Sequence, residues 1–283
     1  MTIFDWCRHC GKHRPMTEEH LPPRVAGNQS PVTVYNEEDG ALTVLRSFEA
    51  GHTIPSLCEE DNNRASHRGL TEAYALWRDD TIGHLRAAAA AFHHVSGQPH
   101  NDLFSIAAKN GGAFMLPMEH GTQLGSEHIA NLNPGKFVRQ VLGMMLAVQD
   151  TRYLLDKQPQ LAAAYHSDKP ASIEPFALHL ALINSGGLYY FQNSVLSVSV
   201  SLTGKGASSS EFWAIAFPPF LILLTSGPKA PIEATRIDHW LEYPVSRAFS
   251  KRDRKVRYPI ADRRELLVAK LYQDQQRLEE MGG

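Results

Sequence analysis

The first third of the chain combines β-branched runs with helix-start signals. Residues 32–45 contain two such runs around Asp39-Gly40, a common hairpin turn, and therefore predict a β-hairpin. Further along, the capping pattern predicts a helix that begins near Asn62 and restarts after Gly69. This part of the chain thus combines a hairpin with helices.

The rest of the chain alternates between helical and strand-like periodicities. Alanine-rich residues 81–95, and residues 134–155 with apolar positions at helical spacing, predict helices. Apolar and serine residues alternate over 196–202, which predicts a strand with one polar face, and the apolar runs within 212–224 predict buried strands. The charged tail, residues 263–281, predicts a helix. The pattern as a whole indicates an α+β fold.

The composition is that of a folded chain without a strong charge bias. The 283 residues include 43% hydrophobic and 20% charged side chains, enough for a large core and for two domains. A net charge of −2 excludes a uniformly basic nucleic-acid binder, so any basic surface must be local. The N-terminus lacks a signal-peptide pattern, and no apolar run reaches the roughly 20 residues of a membrane span. We therefore expect a soluble cytoplasmic protein with no membrane partner.

All three cysteines lie in two short motifs near the N-terminus. Cys7 and Cys10 form a Cys-x-x-Cys motif, and Cys58 is followed three residues later by Asp61. Thiolates suit zinc, a carboxylate is an acceptable ligand, and structural zinc sites usually have four ligands. The spacing therefore predicts a structural Zn²⁺ site. The alternatives are a redox motif, a site that binds no metal, or a fourth ligand drawn from His9, His13 and His67.

Two polar groups have the chemistry of a second metal site. The pair Glu19-His20 combines an oxygen ligand for a hard cation with an imidazole that can accept a proton from water near pH 7. Asn62 and Asn63 add amide oxygens, and His67 shares a helix face with Asn63. The alternatives are a solvated surface pair and a simple N-cap cluster.

Together these motifs resemble the HNH endonuclease family, in the zinc-knuckle form of the ββα-metal fold. The resemblance covers about the first 70 residues. It rests on Cys7-x-x-Cys10, on Glu19-His20 before Pro22, and on Leu57-Cys58-x-x-Asp61-Asn62-Asn63. It implies an HNH-like nuclease domain at 1–78. The pattern of the remaining chain predicts a mixed helix and strand domain at 79–283, whose candidate roles are to bind substrate, a partner, a signal or a second copy. The family's last knuckle cysteine is replaced by Asp61 here.

The resemblance also implies a role for each polar residue. His20 is the general base, and Glu19 and Asn62 hold a catalytic Mg²⁺ or another divalent cation, with Asn63 as the neighbouring choice. His67 matches a helix histidine that some members carry. The middle asparagine of the family, which orients the base, has two candidates here, Asn28 and Asn36.

One segment, residues 247–264, carries a clear excess of positive charge. Such a cluster can neutralise phosphates without reading their sequence, whereas a solvated loop is the alternative. The predicted nucleic-acid contacts within it are Arg252, Arg254, Lys255 and Arg257.

One function leads and two alternatives accompany it. The leading hypothesis is a metal-dependent endonuclease that hydrolyses DNA, an arrangement that resembles effector nucleases of bacterial defence against phages or plasmids. The first alternative is a non-catalytic zinc module that binds nucleic acid or protein. The second is an RNase or toxin that uses the same site. Divalent-dependent cleavage of DNA, of RNA or of neither separates the three.

Overall fold

The protein is described by a computed structural model over most of its length. The described residues are 3–38, 41–96, 113–117, 133–149, 152–183, 189–200, 207–217, 219–230, 234–246, 255–261 and 270–274. They contain both helices and strands, so the α+β class is confirmed. The helices are α1 (Glu59–His67), α2 (Leu70–Ser96), α3 (Pro134–Ala147), α4 (Tyr153–Lys157) and α5 (Pro159–His166), with 3₁₀ turns at Arg24–Ala26 and Asp238–Glu242.

The strands form two sheets. The small sheet has the antiparallel order β1-β2-β5, with β1 (Phe4–Trp6), β2 (His13–His20) and β5 (Thr53–Cys58). The large sheet has the order β4-β3-β13-β8-β9-β10-β7-β12-β6, and β11 pairs with β7 beside it. Its strands are β3 (Val32–Glu38), β4 (Ala41–Phe48), β6 (Ala113–Pro117), β7 (Ala177–Ile183), β8 (Tyr189–Val200), β9 (Ala207–Phe217), β10 (Phe220–Thr225), β11 (Thr235–Arg236), β12 (Lys255–Ala261) and β13 (Lys270–Asp274).

The predicted hairpin and buried strands are confirmed. β3 and β4 pair antiparallel, although their turn residues Asp39 and Gly40 lie outside the described residues. β9 and β10 pair antiparallel, and every residue of β10 is buried. The alternating segment at 196–202 falls largely within β8, where the described strand ends at Val200. Period-two patterns therefore identified strands in both halves of the chain.

The predicted helix near Asn62 begins earlier, at Glu59. Cys58 is the N-cap residue and has extended backbone angles, so β5 passes directly into α1. Three acidic residues in the first turn, at 59–61, face the positive end of the helix dipole. Gly69, with φ of 64°, separates α1 from α2 as predicted, because the left-handed region favours glycine. The alanine-rich segment is the later part of α2.

The helix predicted over 134–155 ends sooner than expected. Asn133 caps α3 by accepting a hydrogen bond from the Lys136 amide at 2.9 Å, and every α3 residue except Lys136 is buried. At the other end the Gln149 side chain donates to the Met145 carbonyl at 2.9 Å, while the Gln149 amide donates to Leu146. The side chain thus replaces the next helical hydrogen bond, which the apolar spacing could not reveal.

The helix predicted for the tail is wrong where the tail is described. Residues Lys270–Asp274 form β13, which pairs antiparallel with both β3 and β8. Two neighbouring strands satisfy its backbone groups, and such tertiary pairing outweighs a helical preference in the sequence. The other residues of 263–281 lie outside the described part of the chain.

A single hydrophobic core contains residues from both predicted domains. Helix α2 continues through position 78 to Ser96, so the proposed boundary between 78 and 79 falls inside a helix. The Trp77 ring packs against Phe137 of α3 at 4.6 Å between centroids and against Trp240 at 4.8 Å. These aromatic contacts join α2 to the part of the chain after residue 133. The domain division stays a prediction.

Replacing Gly143 with alanine is expected to destabilise the protein by about 1–3 kcal/mol. A Cβ atom there would lie 2.6 Å from Cε2 of the buried Tyr165 ring, which would have to move. Gly83→Ala in α2 is the matched control, because its Cβ would meet nothing within 4 Å. This control is expected to be neutral or stabilising by up to about 1 kcal/mol. Urea unfolding of both variants checks the prediction, and equal stabilities would contradict it.

Candidate metal centre and adjoining polar site

The first pair of cysteines lies on the tight turn between β1 and β2. The Cys7 amide donates to the Lys12 carbonyl at 2.9 Å, and the Gly11 amide donates to the Cys7 carbonyl at 2.9 Å. Gly11 has φ of 69°, a value that glycine adopts without strain. This turn directs Cys7 and Cys10 toward the junction between β5 and α1, where Cys58 and Asp61 lie.

The four predicted zinc ligands converge. The thiol sulfurs of Cys7, Cys10 and Cys58 and a carboxylate oxygen of Asp61 all lie within 4.8 Å of one another. The Cys10 and Cys58 sulfurs are 3.9 Å apart, and Asp61 Oδ2 is 3.1 Å from the Cys7 sulfur and 3.4 Å from that of Cys58. A tetrahedral zinc ion would separate two sulfurs by about 3.8 Å and a sulfur from an oxygen by about 3.5 Å. The cluster could therefore hold a metal ion.

The electrostatics of the cluster suit a cation. Burial raises the pKa of the Cys7 and Cys10 thiols, and the negative Asp61 carboxylate adds to the effect. Burial alone would raise the pKa of Asp61 as well, but hydrogen bonds from Cys10 and Cys7 lower it. A buried anion surrounded by thiols is strongly stabilised when a metal ion replaces the thiol protons.

A second layer of polar contacts connects the cluster to α3 and α5. Arg64 lies 3.6 Å from Asp61 Oδ1 through its Nε atom, and its Nη1 atom donates to His166 Nδ1 at 2.9 Å. The His9 ring bonds to the Gly143 carbonyl through Nε2 at 2.9 Å and packs 4.3 Å from the Tyr165 ring. Sequence reasoning missed this layer, because Arg64 and His166 are 102 residues apart in the chain, and His9 and Gly143 are 134 apart.

None of the alternative histidine ligands belongs to the cluster within the described residues. His9 is buried but its ring faces Gly143. His13 is exposed and packs against Phe4 and Trp6, and His67 is exposed in the last turn of α1. Asp61 is therefore the fourth donor of the cluster.

The pair Glu19-His20 ends β2, where the two side chains have different surroundings. Glu19 is 7% exposed, and no described residue forms a hydrogen bond or ion pair with its carboxyl group. Burial raises the pKa of Glu19 from 4.5 to about 8. His20 is half-buried, and its Nε2 atom lies 3.3 Å from the Ala50 carbonyl. Because a carbonyl only accepts, a neutral imidazole in this contact carries its proton on Nε2 and leaves Nδ1 as an acceptor.

Among the three helix residues predicted for the site, only Asn62 contacts β2. Its Nδ2 atom donates to Thr17 Oγ1 at 2.9 Å and to the Glu18 carbonyl at 3.2 Å. Asn63 and His67 are exposed on α1. Asn62 is thus held next to the strand that ends in His20.

Asn28, one of the two candidates for the middle asparagine, is buried, and its side chain forms hydrogen bonds across the loop after β2. Its amide nitrogen donates to the carbonyls of Pro22 at 2.7 Å and His52 at 2.8 Å, and its oxygen accepts from the His52 amide at 2.7 Å. This ties the segment after His20 to the start of β5. Asn36, the other candidate, pairs with Thr43 in the hairpin. No local sequence signal separated the two asparagines.

The predicted basic contacts fall mostly where the chain is not described. Arg252 and Arg254 lie outside the described residues. Lys255 and Arg257 belong to β12, which pairs with β6 and β7. The described part of this segment is therefore a strand of the large sheet rather than a loop.

Comparisons with known proteins gave no relative. No protein-family model, curated protein or solved structure matches the chain. Among the described residues, no helix has the length and apolarity needed to cross a bilayer.

Replacing Glu19 with glutamine is expected to raise stability more at pH 8 than at pH 5, without added divalent cations. The raised pKa means that, between about pH 4.5 and 8, the unfolded chain loses this proton while the folded protein retains it. Stability therefore falls as pH rises through this window, and the neutral amide removes that fall. Thermal melts at both pH values, with exposed Glu174→Gln as control, check the prediction. The same difference in melting temperature between Glu19→Gln and the wild type at pH 5 and at pH 8 would contradict the prediction.

Proposed function

We propose that Cys7, Cys10, Cys58 and Asp61 bind a structural Zn²⁺ ion. Three soft thiolates with one carboxylate form a donor set suited to zinc, and their mutual distances fit a tetrahedron. The four donors come from the β1–β2 turn and the β5–α1 junction, so the ion would reinforce the Arg8–Ser56 backbone hydrogen bond and the β2–β5 pairing that already join these segments. Because thiolate ligands persist in a reducing compartment, we expect the protein to act in the cytoplasm.

We further propose that the protein is a metal-dependent endonuclease of the HNH type that hydrolyses DNA. The single observation that carries this proposal is the orientation of His20, whose Nε2–H contact with Ala50 leaves Nδ1 as a proton acceptor. The element order β2, β5, α1, with a cysteine-rich cluster at its base, is the order that a ββα-metal site requires. A defence role against phages or plasmids follows the same resemblance.

The chain's own groups would perform separate parts of the reaction. His20 would accept the proton of the attacking water at Nδ1, while Ala50 holds the ring. Asn62, fixed against Thr17 and the Glu18 carbonyl, and Glu19 would hold the cation. A bound Mg²⁺ supplies charge stabilisation at the phosphate. The buried Glu19 carboxyl, which forms no hydrogen bond or ion pair with the residues that the structure describes, fits such a cation, because an adjacent positive charge favours the ionised form.

The loop between His20 and β5 would maintain this geometry. Asn28 ties Pro22 to His52 through three hydrogen bonds of 2.7–2.8 Å. These bonds restrain the chain just after His20 and just before Thr53, its partner across the strands. Asn28 would therefore position the base without contacting the substrate.

The test is cleavage of supercoiled plasmid with Mg²⁺, Mn²⁺ or Ni²⁺, run beside single-stranded RNA of similar length. Nicking of the plasmid that requires a divalent ion supports the proposed function. Cleavage of RNA alone would replace it with the RNase or toxin alternative. Binding of nucleic acid without cleavage under any of the three ions would favour the non-catalytic zinc module.

A further inference from the structure

Arg46 near the end of β4 is an exposed cation close to the end of β2. Its side chain is 55% exposed, and its Nη2 atom lies 3.8 Å from a carboxylate oxygen of Glu18, which is equally exposed. Glu18 precedes His20 by two residues. The β3–β4 hairpin, which is inserted between β2 and β5 in the sequence, thus brings a guanidinium group to the proposed active site.

The Arg46–Glu18 pair is loose compared with other ion pairs of the protein. Nitrogen–oxygen distances are 2.9 Å for Arg14–Glu60 and 2.7 Å for Arg68–Asp168. An exposed pair at 3.8 Å contributes little to stability, because water screens both charges. The guanidinium can therefore leave Glu18 for a better anion at small cost.

Neighbouring contacts hold both members of the pair in place. The Arg46 guanidinium lies 4.5 Å from the centre of the Phe48 ring, which packs edge-on against His52 at 5.0 Å. Thr53 donates a hydrogen bond to Glu18 Oε2, and Asn62 donates to the Glu18 carbonyl. Arg46 is thus directed toward the polar site by packing rather than by its ion pair.

We propose that Arg46 binds a backbone phosphate of the nucleic-acid substrate and that Glu18 occupies its guanidinium until the phosphate displaces it. This inference rests on the proposed function for the identity of the ligand. A guanidinium matches a phosphate through two parallel hydrogen bonds, which a lysine ammonium cannot reproduce. Glu18 competes for the same donors and also repels the phosphate, so the two residues have opposite effects on binding.

The experiment measures binding of a fluorescein-labelled DNA duplex to the zinc-loaded full chain without added Mg²⁺. Arg46→Ala is expected to weaken binding about three- to tenfold and to lower the salt slope by about 1. Arg46→Lys should recover only part of the loss. Glu18→Gln should tighten binding about two- to fourfold, since it removes the competitor while keeping an oxygen for Thr53. The double variant should bind slightly more tightly than Arg46→Ala, because Glu18 no longer repels the phosphate, but Glu18→Gln should gain less here than beside Arg46, because Glu18 then has no guanidinium to occupy.

Arg236→Ala and Glu174→Gln are the charge-matched controls. Both residues are exposed and lie outside the proposed site. Replacing them therefore changes the net charge but leaves the proposed site unaltered. If Arg46→Ala and Arg236→Ala weaken binding equally, or if Glu18→Gln binds no more tightly than Glu174→Gln, the inference is overturned.

The two proposals fail in different ways. If His20→Ala abolishes cleavage but the Arg46 and Glu18 variants bind like their controls, the endonuclease stands and the phosphate site is wrong. If no cleavage occurs but the Arg46 and Glu18 variants shift binding in opposite directions, the phosphate site stands on a nucleic-acid-binding protein and the endonuclease is wrong.

Discussion

Replacing Cys7 with serine is expected to eliminate zinc binding and to lower the melting temperature by about 10 °C or more. The Cys7 sulfur is fully buried and close to Asp61, so its loss leaves three donors around a buried site. A metal that closes such a cluster contributes directly to folding, because the unfolded chain has no preformed site. The loss should extend to the contacts of His9 with Gly143 and Tyr165, since His9 belongs to the same turn.

Zinc content per chain and thermal melting by circular dichroism measure this effect. Ser66→Ala, an exposed change on α1, is the control and should retain both zinc and stability. Chelation of the wild-type protein should reproduce the Cys7→Ser melt, and added Zn²⁺ should restore only the wild type. A wild-type protein that is purified without metal, takes up no Zn²⁺ and melts like Cys7→Ser would show that the cluster is held by hydrogen bonds alone.

Replacing His20 with alanine is expected to reduce divalent-dependent cleavage about 10²- to 10⁴-fold. The substitution removes the proposed proton acceptor, while the ring's contact with the Ala50 carbonyl is partly exposed and contributes little to the fold. The melting temperature and zinc content should therefore stay close to the wild-type values. Reduced cleavage with an unchanged melting temperature and zinc content would show that the substitution affects catalysis and not folding.

Two other histidine variants serve as references for His20. His94→Ala changes an exposed residue of α2 and should cleave like the wild type. His67→Ala tests the helix histidine that the family resemblance assigned to the site, and its exposure on α1 leads us to expect a smaller loss than for His20. Cleavage by His20→Ala at the wild-type rate would remove His20 as the base.

The sequence was sufficient for the features that depend on local spacing. The spacing of Cys7 and Cys10 on a turn, and of Cys58 and Asp61 at a helix start, predicted the metal donors as two pairs, and the pairing of β2 with β5 brings the two pairs together. The hairpin was recognised for a similar reason, since strand alternation and turn chemistry act over a few residues. Local structure that depends on a single turn or on one face of a strand can therefore be predicted from the order of the residues.

The tertiary structure decided everything that depends on distant partners. The tail residues Lys270–Asp274 form a strand because they pair with the edges of β3 and β8. The composition of the tail does not predict this pairing. The choice between Glu18 and Glu19 as the exposed carboxylate depends on the register with β5, and Arg46 reaches Glu18 only through the hairpin. Burial and ion pairing arise from how separate elements pack, so the chain's local order predicted the metal donors, whereas packing determined which charges remain exposed beside them.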